Sequence, residues 1–299
     1  MDKKNAAKYV IENENLKVTV SSLGAELINL YDKKKPRELL WQGNEAVWPG
    51  QAPVLFPLIG RLKGKTFEYE GKKYEIDIHG FAKIMEFSLN NKTNNSVSLT
   101  LASNDATRKQ YPFDFEFTVR YTLNNRTLLK EHIVKNTSGK VMYYEVGGHE
   151  GYNLPLTGSE KMSDYWLLFK GKEALYSFTK NEQIMMLNKK RKVDLSDGRL
   201  YLKMSVFSDD ALVLEDDAGK IVELHGKQTG HILTVKFPDF KYLGIWTKNL
   251  PFDTNYVCIE PWSSLPDFAD LGIELTEKIG IRKLAAGKSE TLGFTIEVV

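Results

Sequence analysis

Cysteine is almost missing from this sequence: Cys258 is the single one among 299 residues. That excludes a disulfide framework within the chain and a thiolate metal cluster. Between Tyr256-Val257 and Ile259, it reads as a small buried apolar residue and not as a nucleophile. An excess of charge is missing too. Lys and Arg number 41 against 39 Asp and Glu, a net charge of +2, without the basic stripe that nucleic-acid binding requires. Two short basic runs, Lys33 to Arg37 and Asn188 to Lys192, lie among turn residues and read as solvated loops. No apolar run reaches the roughly 18 residues of a membrane span. The opening MDKKNAAKYVIENENLKV holds no apolar stretch of signal-peptide length. The expectation is a soluble, cytoplasmic protein without nucleic-acid or membrane partners.

Helical periodicity is scarce, whereas period-two alternation is everywhere. YVIENENLKVTV reads as strand, polar turn, strand, and TFEYEGKKYEIDI repeats this around Glu70-Gly71-Lys72. SVSLTLAS, FDFEFTVRYTL, TLLKEHIVKN, HILTVKF, YLGIWTK, YVCIEP and ETLGFTIEVV continue it. ALVLEDDAGKIVELHG reads as two strands about a turn at Asp217-Ala218-Gly219. Short alternating runs punctuated by Gly, Asn and Asp predict an all-β fold, a large antiparallel sandwich of about twenty strands. One short helix is expected over 104–110, capped by Ser103 or Asn104, and a turn of helix within DFADLGIELTEK. No linker or internal repeat interrupts the chain, so residues 1–299 are expected to form one domain, as large all-β units of this length do.

Four places break the alternation with polar residues beside glycine or proline. Arg61 ends the apolar run PVLFPLIGR, His79 ends a strand before Gly80, His149 follows Gly147-Gly148, and Glu260 ends an apolar run before Pro261. Arg61 or His79 alone is better read as an ordinary structural residue. A carboxylate ending a buried strand is costly unless it serves a purpose, and the four together suggest one cleft. The histidines show no H-x-H or H-x-x-x-H spacing, and G-x-S-x-G, G-x-G-x-x-G and P-loop motifs are absent. What remains is proton transfer between a carboxylate and an imidazole, needing no cofactor and no metal.

GAEL (Gly24 to Leu27), LLWQG, W-x-x-x-APVLFPLIGRL, HGFA, GGH-x-x-x-N and IEPW, in this order over nearly the whole chain, resemble the aldose 1-epimerase (galactose mutarotase) family, closest to its LacX-like subgroup of shorter bacterial proteins. The resemblance implies a large antiparallel supersandwich and an isomerase that interconverts the α and β anomers of an aldohexose. It implies Glu260 as the base on the C1 hydroxyl, His149 as the acid on the ring oxygen, and His79 and Arg61 as sugar-holding groups. An aspartate on a sugar hydroxyl falls to Asp209 or Asp210, of which Asp210 is carried forward. Where the family has Pro-Ala-Phe-Asn after the histidine, this chain has Glu150-Gly151-Tyr152-Asn153.

Among the aromatic residues near these motifs, Trp48, Phe81 and Tyr152 are expected in the core, Trp246 and Trp262 at the sugar. The glycines before His149 are expected to free the backbone to turn the imidazole into the cleft. Ordinary values of about 4.3 for Glu and 6.5 for His put the working state, ionised Glu260 with protonated His149, between them. Glu150 is expected to raise the imidazole's value. The alternatives are a carbohydrate-binding or sensing protein without turnover, which needs no acid–base pair, and a hexose-phosphate mutarotase, for which Arg61 is the one evident cation. The chain is expected to be a monomer or homodimer.

Overall fold

The computed structural model describes residues 5–215, 219–251 and 254–299. Strands make up 48% of it and helices 8%, so the all-β expectation holds. The 23 strands among the described residues fall mainly into two large antiparallel sheets. A nine-stranded sheet has Ser289–Val298 as its central strand, followed by Thr127–Asn136 and then Phe115–Asn124. A six-stranded sheet runs in the order Glu150–Asn153, Tyr256–Trp262, Tyr242–Trp246, Leu212–Leu214, Ala174–Lys180, Met186–Asp194. Phe115–Asn124 is buried at every second residue, the pattern expected when one face meets a core and the other meets water. Phe117, Val119, Val134 and Ile296 of the larger sheet join Leu212, Leu214, Ile245, Val257 and Ile259 of the smaller in one apolar cluster.

The smaller sheet is covered on its other face as well, and this positions the site. All seven residues of Tyr256–Trp262 are buried. Val257 and Ile259 point into the inter-sheet core, whereas Tyr256 and Cys258 pack with Trp41 and Trp48 on the opposite side. Alternation therefore puts Glu260 on the face roofed by the loops of residues 41–62. The strand does not stop before Pro261 as the sequence suggested. It continues to Trp262, with Leu243 paired to Pro261 and Gly244 to Glu260.

Other details differ from expectation. Leu212–Leu214 and Ile221–Gly226, expected as one hairpin, belong to different sheets; Asp217 and Ala218 of the expected turn lie outside the described residues. Alternation tells which face a residue takes but not which strand it pairs with. The basic run Asn188 to Lys192 is not a loop but lies within Met186–Asp194, an edge strand, where charged side chains are usual. The helix is Asp105–Gln110, its first amides capped by the Asn104 side chain at 2.9 and 3.0 Å, and a 3-10 turn at Leu275–Glu277 fulfils the other helical expectation.

One ion pair crosses the sandwich. Lys130, on the inner face of the large sheet, puts its Nζ 2.5 Å from Glu150 Oε1 on the small one, and both are fully buried. Removing one partner of such a pair strands the other charge without water, which costs about 3–5 kcal/mol. Lys130→Met should lower the unfolding free energy by about that much in urea denaturation, and adding Glu150→Leu should restore most of it.

Candidate active site

His149 and Glu260 meet because two chain segments run antiparallel in register. Glu150 pairs with Ile259 and Gly151 with Cys258, Gly148 N–H donates to the Pro261 carbonyl at 3.0 Å, and Ser263 N–H to the Val146 carbonyl at 3.0 Å. Between these points His149 can only fall opposite Glu260. Its Nε2 lies 3.3 Å from Glu260 Oε2. Gly244 supplies the room: a Cβ there would sit 2.8 Å from the Trp262 ring and 3.2 Å from Glu260 Cβ.

The glycines before His149 serve space, not backbone freedom. Neither has a positive φ. A Cβ on Gly147 would lie 2.8 Å from the Pro261 carbonyl oxygen, and one on Gly148 would lie 2.4 Å from Glu150 Oε2 and 2.8 Å from the Phe294 ring. The segment that departs from the family text has a packing explanation. Glu150 turns inward to Lys130 and does not face the imidazole, Gly151 leaves room for the Trp48 ring, 2.8 Å from where its Cβ would be, and Tyr152 is buried in the core. Trp48 in turn stacks on His149 at 5.1 Å between centroids.

Arg61 is brought beside His79 by the residue before it, Gly60. Gly60 N–H donates to His79 Nδ1 at 3.1 Å, and His79 N–H returns a bond to the Gly60 carbonyl at 3.0 Å. His79 accepts a φ of +63° to do so, a conformation rare outside glycine. Because Nδ1 accepts, the ring proton sits on Nε2. A buried cluster anchors the loop: Glu145 Oε2 accepts from Ile59 N–H at 2.6 Å, Asp267 Oδ2 from Lys63 N–H at 3.0 Å, and Lys278 Nζ lies 2.9 Å from Asp267 and 3.4 Å from Glu145.

Arg61, His79, His149, Asp210, Trp246, Glu260 and Trp262 all line one cavity of about 380 Å³. Of the two aspartates, Asp210 lines the cavity and Asp209 does not. Asp210, at φ +68°, accepts the Trp246 indole N–H at 2.8 Å, while Asp209 faces Arg191 at 3.4 Å. Trp48, expected in the core, lines the cavity instead, and so do Lys83 and Lys180, two cations that the sequence reading did not single out. Trp48 opens the W-x-x-x-APVLF motif and Lys83 follows HGFA by one residue, so both carried a signal. Lys180 carried none.

The protonation states reverse the expectation. Burial, with the fields of Lys83 and Lys130, lowers the His149 pKa to about 3. Burial, then the Asp210 and Glu150 carboxylates, lifts Glu260 well above the usual carboxylate range. Both shifts favour a neutral imidazole and a protonated carboxyl over the ion pair that free values imply. Among the described residues, His149 Nδ1 is buried without a hydrogen-bond partner, and Glu260 Oε2 and Trp262 Nε1 are buried with no well-formed hydrogen bond beyond the approach of His149 to Glu260, the condition of a site built to bind polar groups. His149, Cys258 and Glu260 also bring three donor atoms within 4.8 Å of one another. However, burial and then Glu260 push the Cys258 thiol up, and a sulfur ligand must shed its proton. This set suits proton transfer better than metal binding.

The sequence profile of the aldose 1-epimerases matches residues 7–276. The plasmid-encoded protein LacX of Lactococcus lactis is 32% identical over 284 residues, 92% of this chain and 93% of that one. A galactose mutarotase related enzyme from Lactobacillus acidophilus superposes with a TM-score of 0.92 at 35% identity, covering 98% of this chain and 97% of the other. A galactose mutarotase-like protein from Lactobacillus casei gives 0.90 at 26%, covering 98% and 100%. The chain belongs to the aldose 1-epimerase family, in which the LacX proteins are its relatives.

The Glu260 shift has a stability consequence. A folded-state pKa above the unfolded value means the native state holds a proton that the unfolded chain releases, so stability falls as pH rises above about 4.5. Glu260→Gln, which cannot ionise, should gain melting temperature over the wild type at pH 8 and lose that advantage at pH 4. His149 should show no imidazole titration between pH 5 and 9 by NMR.

Proposed function

We propose that this protein is a mutarotase that opens and recloses the ring of an aldohexose, with Glu260 and His149 as its acid–base pair. The observation that carries this reading is the 3.3 Å approach of the two groups at the floor of a cavity walled by indole rings. Ring opening needs a proton removed from O1 while another is delivered to O5. An ionised Glu260 takes the first and a protonated His149 supplies the second, each transfer contributing on the order of 10²–10⁴-fold. The pair then stands as carboxylic acid and neutral imidazole, the state that the empty cavity favours. From there Glu260 returns a proton to the aldehyde oxygen as His149 accepts one from the C5 hydroxyl. Rotation about C1–C2 between the two steps inverts the anomer.

The pair holds one proton at every stage, giving one to the sugar as it takes another, so no net proton has to pass to solvent. Arg61, the His79 Nε2–H and Asp210 offer donors and an acceptor for the remaining hydroxyls, and Trp246 and Trp262 offer faces for the sugar's C–H groups. A carbohydrate-binding protein without turnover would have no use for a carboxylate and an imidazole at this separation.

Glu260→Gln keeps size and polarity but cannot take the proton. It should abolish enzyme-dependent anomer exchange, followed by polarimetry on fresh α-glucose and α-galactose, while sugar binding persists. Wild-type exchange with neither sugar would leave the binding-protein reading standing for neutral hexoses. With His149 depressed to about 3, kcat/KM should show no limb near pH 6.5 that coincides with an NMR titration of its imidazole. A limb there would mean that the imidazole titrates as it does in water.

A further inference from the structure

We infer that Glu223, His225 and His231 form a site for a divalent first-row transition ion on the outer face of the nine-stranded sheet, away from the sugar cavity. Val222 and Leu224 pack into the inter-sheet core, so alternation turns Glu223 and His225 to the opposite face. Their neighbours come from Gly230–Lys236. Glu223 pairs with Thr234 and Leu224 with Leu233, and an unbroken register would bring Ile232 opposite His225. A bulge intervenes instead. Ile232 is the extra residue and packs in the core, and His231 takes its place opposite His225. Bulges re-aim side chains in this way, and here two histidines with no metal-binding spacing in the sequence meet on one face.

One donor atom from each of the three residues lies within 4.8 Å of the other two. Glu223 Oε2 is 2.9 Å from His225 Nε2 and 3.9 Å from His231 Nε2. Around a tetrahedral zinc ion such donors stand about 3.4 Å apart, so small adjustments close the set. The imidazole planes are nearly parallel, 9° apart with centroids at 4.5 Å, and each must turn about χ2 to aim at a common point. That torsion is soft in histidine. The carboxylate is already oriented: Lys170 Nζ lies 2.5 Å from Oε1, which leaves Oε2 for the ion. Trp166 stacks on His225 at 5.6 Å and shelters one side. The two imidazoles keep 16% and 29% of their side-chain surface exposed, so an ion can enter from water. Two imidazoles with one carboxylate suit zinc, nickel or copper better than magnesium or calcium, which take oxygen ligands. An ordinary ion pair with Glu223 accounts for His225 alone. The bulge that delivers the second imidazole serves the ion, which would clamp the two strands together and leave a fourth position to water.

The test adds zinc chloride to the EDTA-dialysed full chain at neutral pH, followed by calorimetry and by NMR of the five imidazoles. One equivalent should bind, shifting the ring signals of His225 and His231 and leaving those of His79, His132 and His149 in place. His231→Asn and Glu223→Gln should each weaken binding at least about tenfold, the loss that even an outer partner of a ligand causes. Zinc should raise the melting temperature of the wild type and not that of His231→Asn. Three results would overturn the site: no saturable binding, equal affinity in His231→Asn, or a shift of His149 in place of His225 and His231, which would put the ion in the sugar cavity. If the variants do not fold, the NMR titration of the wild type decides between these outcomes.

Discussion

The pairing of residues 146–153 with 256–263 is the constraint on which the rest of the site depends. It fixes Glu260 opposite His149, and because a strand alternates its faces, it also decides that both look away from the inter-sheet core. A slip of one residue would bury the carboxylate among Val257 and Ile259's neighbours and turn those residues toward the sugar. The register is secured from outside the pair: Leu55 N–H donates to the Gly147 carbonyl and Trp41 N–H to that of Gly151. The roof loops that seal the site therefore also hold its geometry.

That seal accounts for the electrostatics. In water a carboxyl and an imidazole at this distance would exist as an ion pair. Under the Trp48 and Trp262 rings, solvation of the charges is lost, and with two other carboxylates nearby the neutral pair becomes the better state. A substrate whose hydroxyls replace the missing solvent would stabilise the charged form again. The same burial explains why Glu150 cannot act as the sequence suggested. It already answers Lys130 across the sandwich, so its charge reaches the site only as a field.

The sequence made the fold class and the polar breaks legible because both are local. Alternation is written into runs such as Phe115–Asn124, and a histidine after two glycines or a glutamate before proline is visible without coordinates. Partner strands are not local, which is why Leu212–Leu214 and Ile221–Gly226 looked like a hairpin. Asp209 and Asp210 are neighbours that only the backbone's left-handed turn at Asp210 tells apart. Lys180 ends a strand with nothing to distinguish it from a solvated lysine. The purpose of Gly147 and Gly148 was misread for a similar reason: what a glycine makes room for lies across the chain, here in Pro261 and Phe294.

The edge strand Met186–Asp194 carries Lys189, Lys190, Arg191 and Lys192 along the rim of the six-stranded sheet. Three of these cations are answered by carboxylates: Lys190 by Glu215 at 2.8 Å, Arg191 by Asp209 at 3.4 Å and Lys192 by Asp194 at 2.7 Å. A second copy extending that sheet would have to strip water from this ladder of ion pairs, and that cost guards the rim against continuous stacking of molecules.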